Sequence, residues 1–346
     1  MQDPRPQLKD LDPAGLRALL AAAGEAPYRA DQVLAWLYAA EMTDLSRTLR
    51  ERLRDAHRTR ALETVSLQRS VDGTRKAALR AGDGAVLESV LIPDEDRTTL
   101  CISTQVGCPL ACSFCATGEM GFTRNLTTAE IVDQVCRMKE ALDPGERITN
   151  VVFMGMGEPL DNLPAVAQAI RVLGDRHGLA LAQRHITVST VGRADILPRL
   201  AEEGLSRINL AVSLTVADDI KRSRLMPINR RHDVAELKRA LVALPLPRGR
   251  RIMVSCALIA GLNDGAEDRE ALVAWCRDLP VLVNLIPFNP IPGSDWRRPD
   301  ETSLHAFRDH LDRAGIPVRL RATRGDAVLA ACGQLGRSRD RRDRAR

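Results

Sequence analysis

The chain has 346 residues, of which 45% are hydrophobic, enough for one large α/β domain and a smaller appendage. Its net charge of +5 suits a polyanionic partner without requiring one, while an aromatic content of 3% excludes a broad base-stacking platform. No apolar run reaches membrane-spanning length and the polar start, Met1 to Pro6, has no signal-peptide core, so the eight cysteines are expected in a reducing cytoplasm as ligands, nucleophiles or core residues.

Residues 1–60 read as helical. Asp12 before Pro13 forms an N-cap with proline in the first turn, Leu16, Leu19 and Leu20 follow at helical spacing, and Gly24 stops the run. A second helix is expected over residues 29–40, burying Val33, Leu34, Trp36 and Leu37, and a third over 45–57. Arg50, Arg52, Arg54 and Arg58 lie on or near the third. Charge alone favours a solvated face for them, and the alternative is a small module resting on nucleic-acid backbone.

Residues 61–97 change to period two, with strands expected at 67–71, 76–80 and 85–92 between the turn signals Asp72-Gly73 and Gly82-Asp83-Gly84. Glu88 falls inside the third, where the default is a solvent-facing carboxylate.

From residue 98 to 322 strand and helix alternate, the mark of βαβ units and a parallel sheet. Strands are expected at 99–103, 150–154, 185–189, 207–214, 251–258 and 281–287, with a short seventh at 317–321. Helices are expected at 128–142 (capped by Thr127), 163–177, 194–203, 234–244, 266–278 and 302–314. Six such units make the fold class α/β, a partial (β/α)6 barrel whose reactive groups belong at the carboxyl ends of the strands. Residues 323–346 carry Cys332 and then a basic tail expected to be disordered.

Cys108, Cys112 and Cys115, spaced C-x3-C-x2-C after the first barrel strand, can hold one face of an iron–sulfur cluster and leave one iron without a protein ligand. The alternative is zinc, which prefers four ligands and a second cysteine pair. No second pair exists, because Cys136, Cys256 and Cys276 fall in expected helix or strand interiors and read as core. Phe114 just before the last cysteine matches the pattern of radical S-adenosylmethionine enzymes.

Within that superfamily the chain resembles the RlmN/Cfr-type RNA adenosine methyltransferases over roughly residues 28–336. The resemblance rests on the stretches 101–108, 114–118, 121–126, 154–159 (Met-Gly-Met-Gly-Glu-Pro), 226–229, 284–290 and 331–335 (Ala-Cys-Gly-Gln-Leu). It implies a [4Fe-4S] cluster on Cys108, Cys112 and Cys115, and two molecules of S-adenosylmethionine per turnover. An adenine ring carbon bonded to hydrogen is not a nucleophile, so it cannot displace a methyl group from a sulfonium; a carbon radical can add to it instead. By resemblance, Cys332 takes a methyl from one cofactor molecule, and a radical drawn from a second lets that carbon add to C2 of adenine. Cys101 then resolves the adduct through a transient disulfide with Cys332, and Glu88 takes the ring proton, which revises its solvent-facing default.

The resemblance also carries Gly157, Glu158, Ser189, Ser213, Leu214, Thr215 and Asn289 as cofactor contacts. Thr215 stands where many relatives have histidine; it keeps a hydroxyl and a backbone amide but loses any imidazole role. The implied substrates are 23S ribosomal RNA and tRNA, with C8 methylation as the rival reaction and a non-enzymatic zinc or cluster RNA-binding protein as the rival class. A flavodoxin or ferredoxin as reductant, no membrane association and a monomer complete the expectation.

Overall fold

The computed structural model describes residues 3–38 and 45–336. Three helices lead: α1 (Pro13–Ala22), capped by Asp12 through the Gly15 amide, α2 (Arg29–Tyr38), and α3 (Arg47–Ala56), capped by Ser46 through the Leu49 amide. Val33, Leu34 and Leu37 are buried as expected, while Trp36 is partly exposed beneath the Arg54 guanidinium, 5.4 Å from the ring centre. The end of the expected second helix, residues 39–40, and the tail beyond Gly336 lie outside the described residues.

Four antiparallel strands follow: β1 (Leu62–Arg69), β2 (Arg75–Ala81), β3 (Val86–Asp94) and β4 (Arg97–Cys101). β1 begins five residues earlier than the period-two pattern predicts and ends before Val71, which is fully exposed in the turn to β2. The reason is its place at the sheet edge, with every residue but Leu62 exposed, so no apolar alternation marks it. A small hairpin of β5 (Gln105–Gly107) and β6 (Phe122–Asn125) brackets α4 (Ala116–Glu119).

The barrel units continue with α5 (Thr128–Lys139), β7 (Asn150–Phe153), α6 (Leu163–Gly174), β8 (Ile186–Thr190), α7 (Arg199–Glu202) and β9 (Asn209–Ser213). They finish with α8 (Asp219–Leu225), α9 (Val234–Val242), β10 (Ile252–Leu258), α10 (Ala266–Cys276), β11 (Val281–Pro287), α11 (Glu301–Arg313) and β12 (Val318–Leu320). One ten-stranded sheet runs β1-β2-β3-β4-β7-β8-β9-β10-β11-β12, with every pair from β4 onward parallel. This is the expected α/β class, with six parallel strands, a short seventh and an antiparallel extension in the same sheet.

Only the last turn of the helix expected at 194–203 forms, as α7, because Pro198 removes an amide donor ahead of it. The segment before it is fastened instead by Arg193 to Asp161 and Asp195.

α5 is buried along nearly its whole length, and its polar side chains are all engaged. A Thr127–Glu130 capping box starts it. Asp133 accepts from the Lys9 ammonium and from the amides of Ala61 (2.8 Å) and Leu62 (2.9 Å), while Asp10 accepts from the Ala129 amide at 2.8 Å. The N-terminal segment is therefore tied to the barrel by a buried ion pair. Lys9→Met leaves the Asp133 carboxylate buried with only Arg137, at 3.6 Å, as a cationic partner. Breaking such a pair costs about 3 kcal/mol, and a lowered urea midpoint at unchanged slope is the expected reading.

Candidate active site

The carboxyl ends of the parallel strands surround a cavity of about 180 Å³. Cys108, Cys112 and Cys115 line it, with Gly157 and Glu158 after β7, Ser189 at the end of β8, Ser213 and Thr215 at the end of β9, and Asn289 after β11. Cys332 lines it too. Of the expected site residues, Leu214 is the one set back among the cofactor contacts: it is fully buried, its amide donates to the Ser255 carbonyl (3.0 Å) and its carbonyl accepts from Arg222 (3.1 Å).

The β5–β6 hairpin pinches the base of the cysteine loop, where the Cys108 amide donates to the Gly121 carbonyl at 2.9 Å. Gly107 has φ +76°, and a side chain there would overlap that carbonyl. Inside the loop the Cys115 amide donates to the Cys112 carbonyl (3.1 Å), and α4 starts directly after Cys115. Burial pushes the Cys108 thiol up to about 12 and raises those of Cys112 and Cys115, each further raised by the neighbouring thiols or by Cys332. Such thiols are neutral until a metal takes the place of their protons.

Among the described residues no three His, Cys, Asp or Glu side chains converge closely enough to hold a single metal ion. Three thiols spread around one cavity instead suit a cluster in which each thiolate takes a different iron. The donor set and the space fit that group.

Glu158 is buried, and its carboxylate accepts from the amides of Leu160 (3.0 Å) and Val191 (2.9 Å) while its own amide donates to Gln105 (2.9 Å). Burial raises its carboxyl. Its side chain thus locks two strand-end loops together, and Gly157 before it, at φ +100°, is left at the wall. Thr215 also has a positive φ, +64°, a conformation a β-branched residue rarely adopts. It is held by its amide donating to the Ser255 carbonyl (3.1 Å) and its carbonyl accepting from Asn263 (3.0 Å).

Cys332 is exposed at the mouth and also lines a second, smaller cavity of about 40 Å³, together with Cys101, Met154, Arg321 and Arg324. Its loop is fastened on all sides. Gly333 accepts from the Ala116 amide (2.7 Å), Leu335 from the Thr117 hydroxyl (2.8 Å) and the Cys332 carbonyl from Asn289 (3.0 Å). The Gly336 amide donates to Glu88 at 2.7 Å.

Glu88 therefore does not face solvent: it is buried, with the Lys76 ammonium 3.4 Å away. Its backbone carbonyl accepts from Ser103, whose amide and carbonyl are both engaged by Gln134 of α5. Cys136, Cys256 and Cys276 are core, as expected. Sequence reasoning missed Met226, Ser255, Thr190 and Val191 as lining residues; position at or just beyond a strand's carboxyl end was the available signal for Thr190 and Val191, whereas Ser255 lies mid-strand in β10.

A family model described as Radical SAM superfamily matches residues 102–276, and one described as Ribosomal RNA large subunit methyltransferase N-terminal domain matches residues 6–58. The chain is 44% identical over 347 residues to the Dual-specificity RNA methyltransferase RlmN of Anaeromyxobacter dehalogenans (strain 2CP-C), covering 97% of this chain and 93% of the relative. It is 45% identical over 327 residues to the protein of that name from Geotalea uraniireducens (strain Rf4), covering 92% and 93%. The chain belongs to the RlmN family. Its fold is similar to the crystal structure of a radical SAM methyltransferase from Sphaerobacter thermophilus, with a TM-score of 0.90, 42% identity, and 95% of this chain and 99% of that one covered. As a radical S-adenosylmethionine methyltransferase of the RlmN family, it takes a [4Fe-4S] cluster and S-adenosylmethionine as cofactors, and the zinc alternative falls.

The RlmN-family cavity has little room to spare at Gly157. A Cβ there would stand 2.6 Å from Gln105 Cβ, on a backbone that alanine adopts only with strain. Gly157→Ala is expected to destabilise the fold by about 2 kcal/mol, read as a lower denaturation midpoint.

Proposed function

We propose that this chain methylates C2 of adenosine in 23S ribosomal RNA and in tRNA, with Cys332 as the carrier of the transferred carbon and Cys101 as the thiol that releases the product. The observation that carries the reading is the placement of Cys332: it borders both the cavity of Cys108, Cys112 and Cys115 and the smaller cavity of Cys101. One sulfur at that junction can be loaded from one side and resolved from the other.

Cys108, Cys112 and Cys115 would hold the cluster, and Gly157, Glu158, Ser189, Ser213, Thr215 and Asn289 the cofactor, Leu214 contributing only through the backbone around it. When bound, the two groups supply the methyl carbon and the one-electron chemistry that activates it. The protein's own work is to orient and to move protons. Asn289 fixes the Cys332 backbone through its carbonyl. Glu88, beside Gly336 on the same loop, takes the C2 proton of the adduct as a general base. Cys101 attacks the Cys332 sulfur; the S–S bond forms as the sulfur–carbon bond to the adduct breaks, and the departing carbon takes up a proton to become the methyl group. A reductant such as flavodoxin or ferredoxin supplies electrons, and the chain acts as a monomer in the cytoplasm.

Burial, then the neighbouring Cys332, pushes the Cys101 thiol up to about 12. Such a thiol is a weak nucleophile. Arg321, on the rim of the same cavity, acts in the opposite direction and favours the thiolate that the attack requires. The target base has to leave its stack to reach this cavity, so loop or unfolded RNA is the expected substrate form. The arginines of the N-terminal helices give a phosphate-binding surface, and RNA affinity is expected to fall as salt rises.

Mass spectrometry of RNA from a strain lacking the modification, after expression of this chain, tests the reading. The expected result is 2-methyladenosine in both 23S rRNA and tRNA, and 8-methyladenosine alone would overturn it. Cys101→Ala is expected to accumulate RNA joined covalently to Cys332, visible as a shifted protein band that ribonuclease trims. Normal turnover by that variant would remove Cys101 from the reaction.

A further inference from the structure

Arg222 lies in α8 and is fully buried. Its guanidinium donates only to neutral oxygens: the carbonyls of Val191 (2.7 Å), Leu214 (3.1 Å), Ser213 (3.4 Å) and His232 (3.4 Å), and Oδ1 of Asn229 (2.8 Å). Asp219 is the nearby carboxylate, but its Oδ1 accepts from Asn229 (2.8 Å) and from the Val234 amide (3.0 Å). A charge buried on neutral partners alone is costly. Two of its acceptors, Val191 and Ser213, line the same cavity as Cys112. α8 is also tied to the cysteine loop, because the Ser113 amide donates to the Leu225 carbonyl at 3.0 Å.

We infer that Arg222 is the resident counter-charge of the cluster site, a positioning residue that favours the reduced cluster by offsetting the negative charge three thiolates bring. The inference rests on Cys108, Cys112 and Cys115 being the cluster ligands. The same side chain holds the ends of β8 and β9 through their carbonyls, so the strand ends and the charge at the site are set together. A fixed cation stabilises an added electron more strongly across a low-dielectric wall than across water.

The test uses the full chain, reconstituted anaerobically with iron and sulfide and titrated with dithionite under paramagnetic resonance. Arg222→Lys keeps the charge and Arg222→Gln removes it. The paired exchange of Asp219→Asn with Asn229→Asp keeps Arg222 and its Oδ1 acceptor but sets a carboxylate on the guanidinium. Arg222→Gln and the exchange are expected to make reduction about tenfold less favourable, a midpoint about 59 mV lower for a one-electron couple, while Arg222→Lys stays near the parent. An unmoved midpoint in the exchange variant, or a shift in Arg222→Lys as large as in Arg222→Gln, overturns the inference. Where Arg222→Gln does not fold, the exchange variant decides. A parent chain that takes up no cluster would overturn the ligand assignment instead.

Discussion

Two backbone-anchored hydrogen bonds decide whether this molecule has an active end: Ala116 to Gly333 and Thr117 to Leu335, the second joining positions 218 apart in sequence. They fasten the last described segment onto the helix that begins at the cysteine loop. They act together with the Asn289 bond to the Cys332 carbonyl and the Gly336 bond to Glu88. With them Cys332 is fixed where it borders both the cavity lined by Cys115 and the one lined by Cys101. Side chains add to this constraint: buried Gln334 accepts from the Ala331 amide (3.1 Å) and donates to the Pro290 carbonyl (2.9 Å) and to Asp326 (3.1 Å), and Leu335 packs in the core.

That fastening depends in turn on α5. Gln134 bonds Ser103 at both amide and carbonyl, and the Ser103 hydroxyl then donates to the Glu88 carbonyl. Glu88 in turn receives the Gly336 amide. Through the neighbouring residue, Asp133, the same helix anchors Lys9 and the start of β1. One buried helix therefore connects the N-terminal segment, the antiparallel extension and the loop of Cys332. Burying five polar side chains on it (Thr128, Glu130, Asp133, Gln134 and Arg137) is tolerable only because each finds a partner. The extension shares one sheet with the parallel strands, and β3 delivers Glu88 directly opposite Ala78 on β2.

Much of the fold was legible because its strands are buried on both faces. β11 falls where the apolar run places it, and β10 within a residue. Where burial weakens, so does the signal: β1 is exposed along its length, the β5–β6 hairpin is three and four residues long, and α8 carries mostly charged residues. In the site, cysteine spacing and strand ends were readable locally. The environment of Glu88 was not, because it depends on Lys76 and Gly336, and no local pattern announces a partner 248 positions away. Arg222 is the reverse case: its charge suggests a surface helix, and only tertiary contacts with five oxygens account for its burial.

The division of exposure between the two outlying cysteines follows from what the proposed reaction asks of each. A sulfur that accepts a carbon and then presents it to a polynucleotide has to be reachable from solvent, and Cys332 is exposed. A thiol that waits to release the product gains from being hidden, because an accessible one would form the disulfide before any carbon was transferred. Cys101 is buried in a strand, with its proton held by the same burial that hides it. Exchanging their positions would reverse both properties: the carrier would lose access to RNA and the resolving thiol would lose its protection. The fold meets both demands because one cysteine is buried at the end of a strand and the other sits in a loop on the same cavity.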